Sequence, residues 1–301
     1  MSAIATLTQL SDALAEVVAG AGRSIVAVNA RRRLPSSGLV WSDDGTIVTA
    51  DHGIERDEEI TITAPDGADL PAQLIGRDPG TDIAVLKAEA QLLTPASFAT
   101  DARVGALAVA VGRPGAALMA SLGVIASAGR DDRTGRGGTL EDYYRTDATA
   151  LPGFSGGALV LASGGIAAML TSHLGQGAGF AIGPATLRRV VGDLQRQGRV
   201  RRAYIGVTSQ PVALPVSMRD RHAPGQEAAL LVVGLEADGP ADRAGLLLGD
   251  VVILFGGEPI RDTGDLQTAL RADRIGQAIA IRVIRGGEAR DLTVTVGERP
   301  T

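Results

Sequence analysis

The feature that most restricts this chain is a long succession of short apolar runs. They fall at residues 24–28, 38–41, 46–49, 60–63, 73–75, 83–86, 107–111, 123–127, 158–161, 166–171 and 180–182. Gly, Asp or Pro separates most of them, and almost no helical spacing intervenes. Strands this short, with turns this frequent, close into a barrel or stack as a sandwich. Asp43-Asp44-Gly45, set between two apolar runs, has the chemistry of a hairpin turn. The 40 glycines of the chain suit many such turns. The region is expected to be mainly β.

Helical patterns flank it. Leu7, Leu10, Leu14 and Val17/Val18 recur at helical spacing, so residues 1–23 read as an N-terminal helical segment. Leu187, Val190, Val191 and Leu194 form a second apolar stripe, stopped by Gly198. The basic run 199–202 reads as a solvated linker. A smaller α+β unit follows over residues 203–298. It has strands at 204–208, 229–234, 251–255, 278–284 and 291–296, and helices at 241–244 and 264–272. Residues 210–226, rich in Pro and charge, read as a loop.

Composition removes several classes of function. Lys and Arg number 29 against 34 Asp and Glu, a net charge of -5, and aromatics are 3%. Neither an electrostatic footprint for nucleic acid nor a base-stacking platform is visible. There is no cysteine and there are only three histidines, His52, His173 and His222, so no metal site and no cofactor is expected. The most apolar stretch, 104–128, is broken by Arg113 and Pro114, so no membrane span is expected. The first residues carry no basic n-region before Asp12, which points to the cytoplasm.

Three side chains stand at the edges of apolar runs. Ser155 lies in Gly153-Phe154-Ser155-Gly156-Gly157, where flanking glycines let a carbonyl substrate approach and leave amides for a developing oxyanion. His52 follows the run 46–49, and Asp82 opens the run 83–86. Alone, each has a bland explanation: a Gly-Ser turn, a surface histidine, a strand-edge turn. Together they are the residue types that nucleophilic acyl transfer needs.

Several segments resemble the HtrA (DegP/DegS-like) family of trypsin-fold serine proteases. They are Thr49-Ala50-Asp51-His52, Asp78-Pro79-Gly80-Thr81-Asp82-Ile83-Ala84, and Thr146-Asp147-Ala148 through the Ser155 turn, in the family's order His, Asp, Ser. Tyr204-Ile205-Gly206-Val207 and Gly239-Pro240-Ala241-Asp242-Arg243-Ala244-Gly245-Leu246 resemble parts of a PDZ domain. The family pattern departs at Phe154, usually Asn, and at Gly53, usually Val.

The resemblance implies a trypsin-like double β-barrel protease domain over 24–198, followed by a PDZ domain. Ser155 would be the nucleophile, His52 the base and Asp82 its orienting carboxylate, with the oxyanion held by the amides of Gly153 and Ser155. The primary pocket would be lined by Thr149, Ala150 and Leu151 and, opposite, by Gly179, Phe180 and Ala181. No acidic residue stands among them, so small or medium aliphatic P1 residues are expected, because a buried unpaired cation is costly. The strand at 179–182 would pair with the substrate backbone. In the second domain Tyr204, Ile205, Gly206 and Val207 would receive a peptide C-terminus, with Leu266 and Leu270 lining its side-chain pocket. Substrates would be unfolded or misfolded proteins. A homotrimer and the periplasm or cell envelope are further family traits. The competing reading is a catalytically silent peptide-binding scaffold or holdase on the same fold, and the intact Ser, His and Asp set favours the protease.

Overall fold

The structure, a computed structural model, describes residues 3–89, 93–175 and 179–299. Met1 and Ser2 of the expected N-terminal helical segment lie outside the described residues. The chain divides into two compact units, Met1–Val200 and Arg201–Thr301.

The first unit holds two closed barrels. One is built from β1 (Ile25–Asn29), β2 (Ser36–Val40), β3 (Thr46–Thr49), β4 (Ile60–Thr63), β5 (Asp69–Asp78) and β6 (Ile83–Ala88), in the order β1-β2-β3-β6-β5-β4. The other comprises β7 (Leu107–Gly112), β8 (Met119–Arg133), β9 (Thr139–Thr146), β10 (Ala158–Leu161), β11 (Ile166–Thr171) and β12 (Gly179–Ile182). Its order is β7-β8-β9-β12-β11-β10, the same permutation as the first. Val26, Val28, Ile47, Ile62 and Leu86 fill the first barrel. Ala110, Ile125, Phe154, Leu159 and Leu170 fill the second. The outward faces of both meet in a shared core, where Leu39, Val48 and Val85 join Val111, Val160 and Met169. This seam positions the site.

Helix α1 (Ala3–Gly22) covers the predicted stripe, and its Leu14, Val17 and Val18 pack on the shared core. Helix α2 (Pro184–Gln197) buries the four predicted positions Leu187, Val190, Val191 and Leu194. Burial of each such side chain contributes about 1.5–3 kcal/mol. Pro184 opens the helix, and Gly198, at φ 69°, closes it with its N–H on Leu194 O. Its N-terminal amides are capped from a distance: Asp142 on β9 accepts from Ala185 N at 3.1 Å and Thr186 N at 2.9 Å. Sequence periodicity missed β9. Its charged residues are engaged by tertiary partners, Asp142 by this cap and Glu141 by Arg189.

The second unit carries a sheet in the order β14-β15-β16-β18-β19. Its strands are β14 (Val207–Ala213), β15 (Ala228–Leu235), β16 (Val251–Phe255), β18 (Ala278–Arg285) and β19 (Glu288–Thr295). Short pieces complete it: β13 (Ala203–Tyr204) pairs with β20 (Gly297–Glu298), and β17 (Glu258–Pro259) pairs with β16. The helices are α3 (Val216–His222), α4 (Pro240–Arg243) and α5 (Thr263–Ala269). Residues 210–226 are thus not a loop; they complete β14 and form α3. The strand tolerates Pro211 because β14 is an edge strand, where one missing N–H need not break a ladder.

Candidate active site

Both barrels supply the site through corresponding connections. In the first barrel, His52 sits between the third and fourth strands, in a short helical turn over Asp51–Gly53, and Asp82 sits just before the sixth. In the second barrel, Ser155 sits between the third and fourth strands, and Ser172 and His173 lie between the fifth and sixth.

Asp82 is 1% exposed and stands at φ 57°, a left-handed conformation. Its carboxylate accepts from His52 N at 2.9 Å and lies 2.8–2.9 Å from His52 Nδ1 through both oxygens. Thr171, at the end of β11, donates its hydroxyl to the same carboxylate from the other barrel. These donors offset the cost of burying the charge. Asp51, next to His52, is also buried, and its side chain is 2.5 Å from Arg77 Nε. Burial pushes the Asp51 carboxyl above its ordinary value, against the pull of that guanidinium. The His52 ring is stacked on that of His173, with centroids 5.1 Å apart.

The Ser155 turn is clamped by the first barrel. Ser37 on β2 donates its N–H to Ser155 O at 3.0 Å and its hydroxyl to Gly153 O at 2.7 Å. Arg113 N donates to that same hydroxyl at 2.8 Å. Gly153 and Gly156 both stand at φ 85°, and a Cβ on Gly156 would run into Ser37 O. Glycine is required at that position by both angle and space. Phe154 is 1% exposed and sits in the second barrel's core, so the aromatic that departs from the family pattern anchors the turn and is turned away from solvent. Among the described residues no acceptor takes the amides of Gly153 or Ser155, whereas Phe154 N donates to Leu151 O.

The structure brings His52 and Asp82 into direct contact. Ser155 reaches His52 through Ser172: Ser155 Oγ and Ser172 Oγ are 3.1 Å apart, and Ser172 Oγ and His52 Nε2 are 3.3 Å apart. Sequence reasoning missed Ser37, Thr171 and Ser172. Each is a small polar residue beside an apolar run, and only the closure of the barrels gives it a partner.

The expected pocket residues divide. Thr149 and Ala150 are exposed, and Leu151 is half-buried with Ala148 and Ala181 around Phe154. Phe180 lies on the other face of β12, stacked on Tyr143 at 5.1 Å with Arg145 over its ring. Its side chain is therefore part of the shared core and not beside Leu151. The strand expectation for 179–182 also needs correction. Both edges of β12 are occupied, by β11 and by β9, so a closed barrel leaves no edge there for a substrate strand. Gly179 pairs with Thr146 in that ladder.

In the second unit, Tyr204 ends β13, and Ile205 and Gly206 form the step into β14, with Gly206 at φ 75°. The amides of Ile205 and Gly206 donate to no acceptor among the described residues. Val207 begins β14, whose outer edge is unpaired among the described residues and which has α5 as a neighbour. Leu266 of α5 is buried, and Leu270, just past it, is half-buried in the same core.

Among the described residues no group of acidic, histidine or cysteine side chains could hold a metal ion, and no helix is long and apolar enough to cross a membrane.

Comparison with known proteins agrees with this architecture. A family model for the trypsin-like peptidase domain matches residues 36–169, and one for the PDZ domain matches 204–296. A curated protein of Brucella suis biovar 1 (strain 1330), named a probable periplasmic serine endoprotease DegP-like, is 35% identical over 274 residues, covering 88% of this chain and 52% of that protein. One of the same name from Rhizobium meliloti (strain 1021) is 33% identical over 280 residues, 90% of this chain and 55% of that protein. The chain therefore spans about half the length of these curated relatives. Their periplasmic names overturn the cytoplasmic expectation. The reason is physical: a removable export signal takes no part in the folded domains, so the missing basic n-region carries no information about compartment. Among solved structures, the HtrA-type protease AlgW with a decapeptide superposes with a TM-score of 0.78 at 30% identity, over 95% of this chain and 99% of that one. The serine endoprotease from Yersinia pestis does so with a TM-score of 0.78 at 29% identity, over 95% and 98%. With two barrels of one permutation, a smaller β-rich unit following them in the sequence and this degree of likeness along nearly the whole length, the chain belongs to the HtrA-type protease family, with a trypsin-like peptidase domain followed by a PDZ domain.

Proposed function

We propose that the chain is a serine endopeptidase that cleaves unfolded proteins through an acyl-enzyme. The observation that carries this is the paired seam of the two barrels. A buried carboxylate fixes one nitrogen of His52, and the other nitrogen leads to the hydroxyl on the glycine turn. In this reading Ser155 attacks the scissile carbonyl and His52 accepts its proton, later giving it to the departing amine. Asp82 holds the imidazole with its Nδ1 proton inward and stabilises the imidazolium. The unbonded amides of Gly153 and Ser155 are the donors for the oxyanion, a contribution worth about 2.7–4 kcal/mol per donor in comparable sites.

The substrate preference follows from Thr149, Ala150 and Leu151, expected pocket residues not buried in the core, none of which carries a carboxylate. Small or medium aliphatic P1 residues are expected, and fastest cleavage after Arg would overturn this. The PDZ domain would take a peptide C-terminus as an added strand on the free edge of β14, beside α5. The carboxylate would meet the amides of Ile205, Gly206 and Val207. Leu266 and Leu270 would shape the side-chain pocket, and capture of substrate or regulation would follow. The names of the relatives make the periplasm the compartment where such substrates would be met. Ile4, Leu7 and Leu10 on α1 are exposed. They are the face on which the trimer implied by the family resemblance would rest.

The test is labelling by a fluorophosphonate together with casein degradation. The wild type is expected to react in both assays, and Ser155→Ala in neither. Equal labelling of the two proteins removes Ser155 from the role of nucleophile. An unreactive wild type that still suppresses aggregation is the silent holdase.

A further inference from the structure

We propose that Arg77, through its grip on Asp51, is a positioning residue for His52 and fixes the turn that presents the base to Ser155. The proposal rests on the reading of His52 as the general base and deepens it by naming what keeps that base in place.

The turn that carries His52 has little to hold it from within. It spans only Asp51–Gly53. Two backbone bonds close it, Gly53 N to Ala50 O at 3.0 Å and Ile54 N to Asp51 O at 2.9 Å. Helical pieces this short and tight have poor hydrogen-bond geometry. Gly53, without a Cβ, adds backbone freedom at its end. Yet the turn must be placed accurately. Asp51 N donates to Asp82 O at 3.2 Å and His52 N to Asp82 Oδ1 at 2.9 Å. A shift of the turn therefore moves His52 against both Asp82 and Ser155.

Arg77 supplies the hold from outside. It stands near the end of β5, in register with Ala84 of β6, so its backbone belongs to the closed ladder of the first barrel. Its guanidinium fans over the turn. Nε donates to Asp51 Oδ1 at 2.5 Å, and Nη2 donates to Asp51 O at 3.3 Å and Ile54 O at 3.1 Å. Nη1 donates to Asp57 Oδ1 at 3.1 Å, farther along the same connection. One side chain thus bonds both ends of the turn. The planar fork of arginine suits several acceptors at once, which the point charge of lysine does not. Asp51, 5% exposed, gives the fork a charged anchor that is itself stable there only with a partner. No hydrogen bond of Arg77 reaches the His52 ring, Asp82 or Ser155 among the described residues, so it acts through the turn.

The experiment measures peptide hydrolysis by the full chain. Fluorophosphonate labelling run to completion counts the competent sites, so unfolded protein does not enter kcat. Arg77→Ala should lower kcat per site by about 10–10²-fold with KM unchanged, the cost of displacing a catalytic group by about 1 Å. That variant strands a buried carboxylate, so Asp51→Asn/Arg77→Ala is measured beside it and should lose as much. The Arg77 side chain is 34% exposed, so free guanidinium ion can enter the space it leaves. Guanidinium at millimolar concentration should raise the kcat of Arg77→Ala several-fold and leave wild type unchanged. Wild-type kcat in both variants, or fewer competent sites with kcat per site intact, makes the pair merely structural and overturns the proposal. A slow Arg77→Ala that guanidinium does not speed overturns it too. Ser155→Ala run beside them separates the two levels. If it is labelled like wild type, the reading of nucleophile and base itself fails; if it is silent while the Arg77 variants keep their kcat, only the positioning role fails.

Discussion

The two barrels share one strand permutation and use the same two connections, third to fourth strand and fifth to sixth, for opposite purposes. In the first barrel these connections carry His52 and Asp82. In the second they carry Ser155 and the Thr171-Ser172-His173 step. The first presents a charge that must be buried and surrounded by donors. The second presents neutral hydroxyls and amides left unbonded. Neither half has a complete site, and each stabilises the other's difficult group. Thr171 of the second barrel donates to Asp82 of the first, and Ser37 of the first holds the Ser155 turn of the second. Burying a charge and exposing an amide make opposite demands on a scaffold. Dividing them between two rigid barrels lets each be met at a closed end.

Breaking the first barrel's share should have the largest effect. Asp82→Asn keeps the shape but reverses the preferred tautomer of His52, and the loss in kcat for peptide hydrolysis is expected near 10⁴-fold, about 5.5 kcal/mol. A loss under tenfold would mean that the carboxylate does not hold the base. Breaking the second barrel's share acts on the turn itself. Gly156→Ala meets both the angle of 85° and the carbonyl of Ser37. A destabilisation of about 2–5 kcal/mol is expected in urea melts, and an unchanged midpoint would show that the turn is not held by this clamp. The bond between the barrels comes next. Thr171→Val removes one charge-assisted donor from Asp82 and should cost about 1.5–3 kcal/mol, with kcat lowered as well. A fall in stability with kcat untouched would confine Thr171 to packing.

The smallest effect sharpens the comparison at a site away from the chemistry. Asp44 closes the first barrel's hairpin by accepting from Ser42 Oγ at 2.6 Å and Thr46 N at 3.0 Å, with Lys87 Nζ at 2.7 Å. Lys87 first, then these two donors, hold its carboxyl well below the usual carboxylate range. A lowered value means that the stabilisation is present above the ordinary carboxylate value and is lost as pH falls through the folded-state value. Asp44→Ala should cost about 0.2–1 kcal/mol at neutral pH, and less in acid. An equal cost at pH 7 and pH 2 would show the turn to be held by shape alone.

Local chemistry made much of this legible. The apolar runs marked the strands of β1, β3, β7 and β11, because alternation and turn residues act within a few positions. The stripe Leu187, Val190, Val191 and Leu194 marked α2 and its buried face. Strand β9 stayed hidden because its charges answer to α2, more than forty residues away. The second part of strand β14, past residue 208, stayed hidden because Pro211 reads as a breaker until its place at the sheet edge is known. Phe180, adjacent to pocket positions along the chain, turns to the opposite face by the two-residue period of a strand.

What the sequence by itself determined is the set of reactive types and their order along the chain: a histidine after one strand, an acid before another, a serine among glycines. Those are properties of short segments, set by turn chemistry and hydrophobic pattern. The tertiary structure alone decided which hydroxyl stands between Ser155 and His52, which donors surround Asp82, and which edges stay open to a peptide. Hydrogen bonds between closed barrels depend on register and closure, and no stretch of a few residues contains either.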